Sequence, residues 1–317
     1  MKKKVIYWEL TSYKQTPDAA AVGKFKTKVS PTTNGAIRFT GKNEAGRSWD
    51  YYGKVADSVV GRLVWIDKVV DKFNGARLLL VLESEKYLSK IHVPYSSQNQ
   101  RDIVNRMLGL GKSLSTATIN MSYWVRPKKD KAGSFVLNDK NQQIMLKNII
   151  IKDVEPKFSF EGWKEYAAKN GLDWVQSKDA KGRVTWDDSA ESKFWDGQIA
   201  AIQKYLIESD AAVPFSYNSF ICGELPNPSG GPNLKPELVE RANEMYNARK
   251  GNYEISSQSS SSDDLDFSDG PSFSSQVNQA TAFEDSDDDM FSSPKTATAV
   301  ASKDVSSVLA DDDDLPF

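Results

Sequence analysis

The stretch Val59-Val60-Gly61-Arg62-Leu63-Val64-Trp65-Ile66-Asp67-Lys68-Val69-Val70 is long, rich in β-branched residues and broken by a single glycine. That pattern predicts a strand able to coil or bulge. Asn74-Gly75 follows as a tight hairpin turn, residues 77–85 return as a second strand, and residues 87–95 read as a third. The period then changes. Ile103, Met107 and Leu110 recur at helical spacing behind the capping candidates Ser96 to Asn99, and Gly109 and Gly111 limit the helix. Strand character resumes at residues 117–126 and, after a basic loop, at 135–137 and 143–151. Three strands, one helix and two strands is the element order of an OB-fold, a five-stranded Greek-key barrel. The expected fold class is therefore mainly β, with the barrel over residues 49–155.

Around this unit the pattern differs. Residues 1–48 form a basic segment in which Lys24-Phe25-Lys26-Thr27-Lys28 alternates, so that a strand here would carry its lysines on one face. Residues 156–250 read as a helical accessory region: Phe160, Trp163, Tyr166 and Ala167 recur every three or four residues, as do Phe194, Ile199, Ile202 and Leu206. Trp163, Trp174, Trp186 and Trp195 are expected to form its small core. Residues 251–317 are rich in serine and aspartate and too poor in apolar residues to bury a core, which predicts a disordered acidic tail.

Charge sharpens this division. The last 67 residues hold 15 acidic and 2 basic side chains, against 28 acidic and 39 basic before them. A basic body with an acidic tail suits a polyanionic partner. Cys222 and His92 are single, so no internal disulfide and no cysteine–histidine zinc site can be assembled, and no cofactor is expected. No apolar run approaches the ~20 residues of a membrane span, and the expected compartment is the cytoplasm.

Binding of unpaired strands needs cations for phosphates and rings on which bases stack. The candidate stacking residues are Trp49, Tyr51, Tyr52, Trp65, Tyr87, Tyr123 and Trp124. The candidate phosphate contacts are Lys24, Lys26, Lys28, Arg47, Lys54, Arg62, Lys90, Arg126, Lys128, Lys129 and Lys131. Tyr51-Tyr52 and Tyr123-Trp124 are adjacent pairs, so one member of each faces outward on a strand.

The chain ends Asp311-Asp312-Asp313-Asp314-Leu315-Pro316-Phe317. Four successive carboxylates stay hydrated, yet they lead into two apolar side chains around a stiffening proline, which suits a partner with an apolar pocket and a basic rim. This terminus resembles the tip of prokaryotic and phage single-stranded DNA-binding proteins. The resemblance implies a non-enzymatic protein of DNA replication, recombination and repair that coats single-stranded DNA. It also implies that replication proteins such as polymerase, helicase or primase dock on residues 311–317. A strand-annealing or RNA-binding protein is the alternative for the same groove. An enzyme would need clustered carboxylates, for which Asp187-Asp188 is the candidate pair, but acids ahead of a helix also suit its positive dipole end.

Overall fold

The structure is a computed structural model and describes residues 2–13, 21–42, 48–71, 75–94, 97–130, 132–138, 141, 143–178, 184–214 and 233–254. The chain begins with four strands, β1 (Lys3–Tyr13), β2 (Val22–Lys28), β3 (Ile37–Lys42) and β4 (Ser48–Ala56). The meander β5 (Ser58–Asp71), β6 (Gly75–Glu83) and β7 (Tyr87–Pro94) follows, then helix α1 (Ser97–Gly109), β8 (Thr118–Pro127) and β9 (Met145–Lys152). The remainder comprises α2 (Phe160–Asn170), β10 (Val175–Lys178), β11 (Val184–Asp187), α3 (Ser189–Glu208), α4 (Pro236–Arg249) and the short β12 (Tyr253–Glu254).

Among the described residues, ten strands make one mixed sheet in the order β3-β4-β2-β1-β7-β6-β5-β8-β9, with β12 beside β1. The pairings of β1 with β7 and with β12 are parallel, and the others are antiparallel. The protein is thus mainly β, as the alternation predicts. Strand pairing does not close the sheet into a barrel, because its path ends at β3 on one side and β9 on the other. Strand, strand, strand, helix and strand from residue 58 to 127 match the expected order, while residues 135–137 contribute isolated bridges, Lys129 with Phe135 and Leu137 with Gln143, rather than a full strand. Residues 3–56 form four further strands, three of them within the basic segment, and they put β1 in the interior of the sheet.

The irregularity expected in β5 falls between Leu63 and Trp65, not at Gly61. From Leu63 to Val69 every side chain is buried, the charged Asp67 and Lys68 included, so this part of β5 is covered on both faces. Helix α3 provides part of that cover. Its Asp196 pairs with Lys68 of β5 at 3.1 Å, and its Gln203 amide donates to the Ile66 carbonyl at 2.8 Å. Gln100 of α1 also donates to Asp196, at 2.6 Å, so three elements meet at one buried carboxylate.

Of the four tryptophans expected in the helical core, Trp163 and Trp195 are buried, with ring centroids 4.6 Å apart, among Phe158, Tyr166 and Phe194. Trp174 is half-buried and donates its indole N–H to Glu191, whereas Trp186 is exposed on the hairpin β10–β11. That hairpin was hidden within a segment read as helical, since four-residue strands are too short to impose a period on the sequence.

Two strands far apart along the sheet path touch. Gly23 of β2 lies against the backbone of β8, where a Cβ would stand 2.4 Å from the Tyr123 carbonyl oxygen. Neither partner is a movable side-chain tip, so Gly23→Ala is expected to cost ~1–3 kcal/mol by forcing the strands apart. A urea denaturation curve shifted to a lower midpoint at constant slope is the expected result.

Candidate nucleic-acid interface

On β2 the alternation places Lys24, Lys26 and Lys28 on the face opposite Phe25, which is fully buried. The three lysines are not equivalent. Lys26 is buried between the Glu9 carboxylate at 3.7 Å and the Tyr51 hydroxyl, to which it donates, and its ammonium lies 5.4 Å from the Phe39 ring centroid. Burial lowers its pKa, opposed by Glu9, and burial likewise raises the Glu9 carboxyl against the pull of Lys26, Lys28 and Arg77. The Tyr51 phenol is raised by burial and then by the Glu9 charge, so it stays protonated. Lys26 therefore organises the site from beneath. Lys24 pairs with the exposed Asp57, and exposed Lys28 lies over Tyr51 at 5.3 Å from its centroid. Phe39 stacks on Tyr51 at 5.5 Å with the ring planes 17° apart.

A second group lies on β8 and the segment after it. Tyr123 is 9% exposed and faces inward, whereas Trp124 is half-buried on the outer face, with the Arg126 guanidinium 4.3 Å from its centroid. Beyond β8 the chain returns on itself through the bonds Lys128 N–H to Ile144 carbonyl, 2.7 Å, and Val136 N–H to Lys128 carbonyl, 3.0 Å. This fold-back brings exposed Lys129 to 5.2 Å from the centroid of Phe135, itself 49% exposed. The Gly23 contact joins this strand to β2, so the two cation-and-ring groups occupy adjoining strands.

The other candidates are dispersed. Trp65 is fully buried and its indole N–H donates to Asp67 at 3.3 Å, so it has no face to offer a base; cover on both sides of β5 is the cause. Tyr123 is excluded as a stacking residue by its inward orientation. Tyr52 and Lys54 lie on the face of β4 opposite Tyr51. Arg62 is held by Glu83 at 2.8 Å, and Tyr87, 42% exposed, pairs across β1 with Lys4, away from Lys28 and Trp124. Lys90 is buried, its ammonium 5.1 Å from the Tyr7 centroid, so it is not presented to a phosphate. Trp49 belongs to β4, but its side chain, like Arg47, Lys131, Cys222 and residues 311–317, lies outside the described residues.

Glu9 and Phe39 belong to the site and were not expected there. Val5-Ile6-Tyr7-Trp8 is a β-branched and aromatic run that signals a strand, and giving it that weight would have found β1 and, with it, Glu9. Asp187, the candidate metal ligand, accepts the Ser189 N–H at 2.9 Å, and the Asp188 carbonyl accepts the Ser192 N–H at 2.9 Å, both at the start of α3. Among the described residues, no three His, Cys, Asp or Glu side chains gather as metal ligands, and no helix is long and apolar enough to cross a membrane.

Comparison with protein-family models, with curated proteins and with solved structures finds no match to this chain.

Proposed function

We propose that this protein binds single-stranded DNA without strong sequence preference, as a non-enzymatic component of replication, recombination and repair. The acidic tip at residues 311–317 recruits replication enzymes. The observation that carries this reading is the repeated pairing of an outward cation with a ring: Lys28 on Tyr51, Arg126 on Trp124 and Lys129 on Phe135. Each such pair sets a cation beside a ring, the two kinds of group that sequence-tolerant strand binding uses. Ion-paired charges with no ring beside them would favour a merely solvated surface.

The fold reading that accompanies it is a rearranged OB-like unit. β5, β6, β7, α1 and β8 supply the meander, the helix and the fourth strand, with β8 antiparallel to β5. β1, parallel to β7, and β2, which abuts β8, take the wall that a fifth strand from the far side of β8 would fill.

Titration of the intact protein with oligothymidylate, followed by tryptophan fluorescence at several salt concentrations, tests the proposal. Saturable quenching is expected, with log K falling linearly as log salt rises. Trp124→Ala is expected to weaken binding by ~1–3 kcal/mol and to remove a large share of the quenching. Absence of binding in dilute buffer would sink the proposal.

A further inference from the structure

In the antiparallel register Trp124 of β8 faces Asn148 of β9, so the two side chains stand side by side on the outer face of the sheet, and Ile150, 37% exposed, follows on that face. Asn148 and Ile150 also line a cleft of about 230 Å³ between β9, α1 and the start of α2, with Phe158 and Trp163 deep in it and Phe160 at its mouth. Phe160 is 67% exposed, and the Lys164 ammonium lies 4.1 Å from its ring centroid. This is a further exposed cation-and-ring pair, of the kind present at Tyr51, Trp124 and Phe135. The charges of the cleft do not choose its guest. Arg101 is held by Asp102 at 3.3 Å and Glu191 at 3.5 Å, Arg106 donates to the Val154 carbonyl, and Lys164 also meets Glu161 at 3.6 Å. What distinguishes the cleft is its rings and one amide. The Asn105 amide is used on both sides by the Phe158 backbone, at 2.8 Å each, whereas among the described residues the Asn148 side chain has no hydrogen-bond partner. A primary amide carries a donor and an acceptor together, and every base edge complements one or the other, so such a group holds a base without choosing among the four. The volume, below the ~300–1,000 Å³ of ordinary small-molecule sites, suits a single flat ring system.

We infer that this cleft is a nucleobase pocket that continues the path of the bound strand beyond Trp124. A base next to the one stacked on Trp124 crosses β9, sets its edge against the Asn148 amide and lays its face on Phe160, while Lys164 meets the adjoining phosphate. Continuity carries the inference: Asn148 belongs both to the row that holds Trp124 and to the lining of the cleft, so a strand leaving Trp124 across β9 arrives at Phe160 without a gap. The carboxylate in the lining, Asp102, is engaged by Arg101 and does not stand unpaired against the phosphates. The pair of Lys164 with Glu161 is a solvent-exposed contact between helix neighbours, weak enough for a phosphate to displace. The inference rests on the DNA-binding reading and adds a subsite to it.

The test irradiates the full chain bound to oligothymidylate in which 5-iodouracil, a base that photocrosslinks to the aromatic ring it stacks on, replaces some of the thymines. Adducts are expected at Trp124 and at Phe160. Phe160→Ala is expected to remove the second adduct, keep the first and weaken binding about fivefold or more, the scale of one lost stack. Asn148→Leu removes the amide at nearly constant volume and is expected to lower the yield at Phe160 by a similar factor. Circular dichroism and the urea midpoint should match the parent in both variants, since Phe160 is exposed and Asn148 is half-buried. Adducts at Trp124 with none at Phe160, or an affinity unchanged in both variants, would overturn the pocket and leave the DNA-binding proposal standing. Failure of the parent protein to bind the oligonucleotide at all would overturn both.

Discussion

Asp196→Ala is expected to destabilise the protein by about 3–5 kcal/mol, because it breaks a fully buried ion pair by removing one partner. Lys68 and Asp196 both have 0% side-chain exposure, and their 3.1 Å contact is reinforced by the Gln100 amide. Removing the carboxylate takes a buried counter-charge from Lys68 and an acceptor from Gln100, so the loss exceeds that of a surface ion pair, typically ~0–1 kcal/mol. Urea denaturation of the variant is the measurement. The double substitution Lys68→Met with Asp196→Leu removes both charges together and is expected to recover most of the loss. Should Asp196→Ala unfold at an unchanged midpoint, α3 does not lock onto β5 as described.

The double substitution Lys28→Gln with Arg126→Gln is expected to weaken oligothymidylate binding about tenfold or more in dilute buffer and to flatten the salt dependence by about two counterions. Both side chains are exposed, one on each adjoining strand, and each lies over a ring. The folded state should survive, since neither is buried. Lys90→Gln offers the contrasting control: Lys90 is covered beneath Tyr7, so the salt slope is expected to remain as in the parent protein. An equal loss of slope in all variants would mean that long-range charge, rather than these two positions, governs binding.

The element order from β5 to β8 was legible because each element is long enough to show its period. Ile103 and Met107 of α1 are buried, as their helical spacing announces, while Leu110 lies half-buried just beyond the helix end. The alternation of lysines on β2 was also legible, as was the rule that one of Tyr123 and Trp124 faces outward, but which of the two does so was not, because a one-residue slip in register exchanges the faces. The burial of Trp65 was not. Its strand is covered on both faces, and no local pattern states which distant helix lies on it. Lys26 shows the same limit: it alternates like Lys24 and Lys28, yet Glu9 and Tyr51, brought from two other strands, bury its charge.

The position of β1 has a consequence during synthesis. Its neighbour on one side, β2, emerges at once, but its parallel partner does not: Lys4 faces Tyr87. At ~5–20 residues per second, a ribosome needs roughly 4–17 s to deliver that partner. Through this interval Tyr7 and Trp8 lack their companion strand, and the nascent hairpin presents an adhesive edge. Lys2, Lys3 and Lys4, which precede those rings, act as electrostatic gatekeepers against neighbouring polypeptides until the late strand arrives.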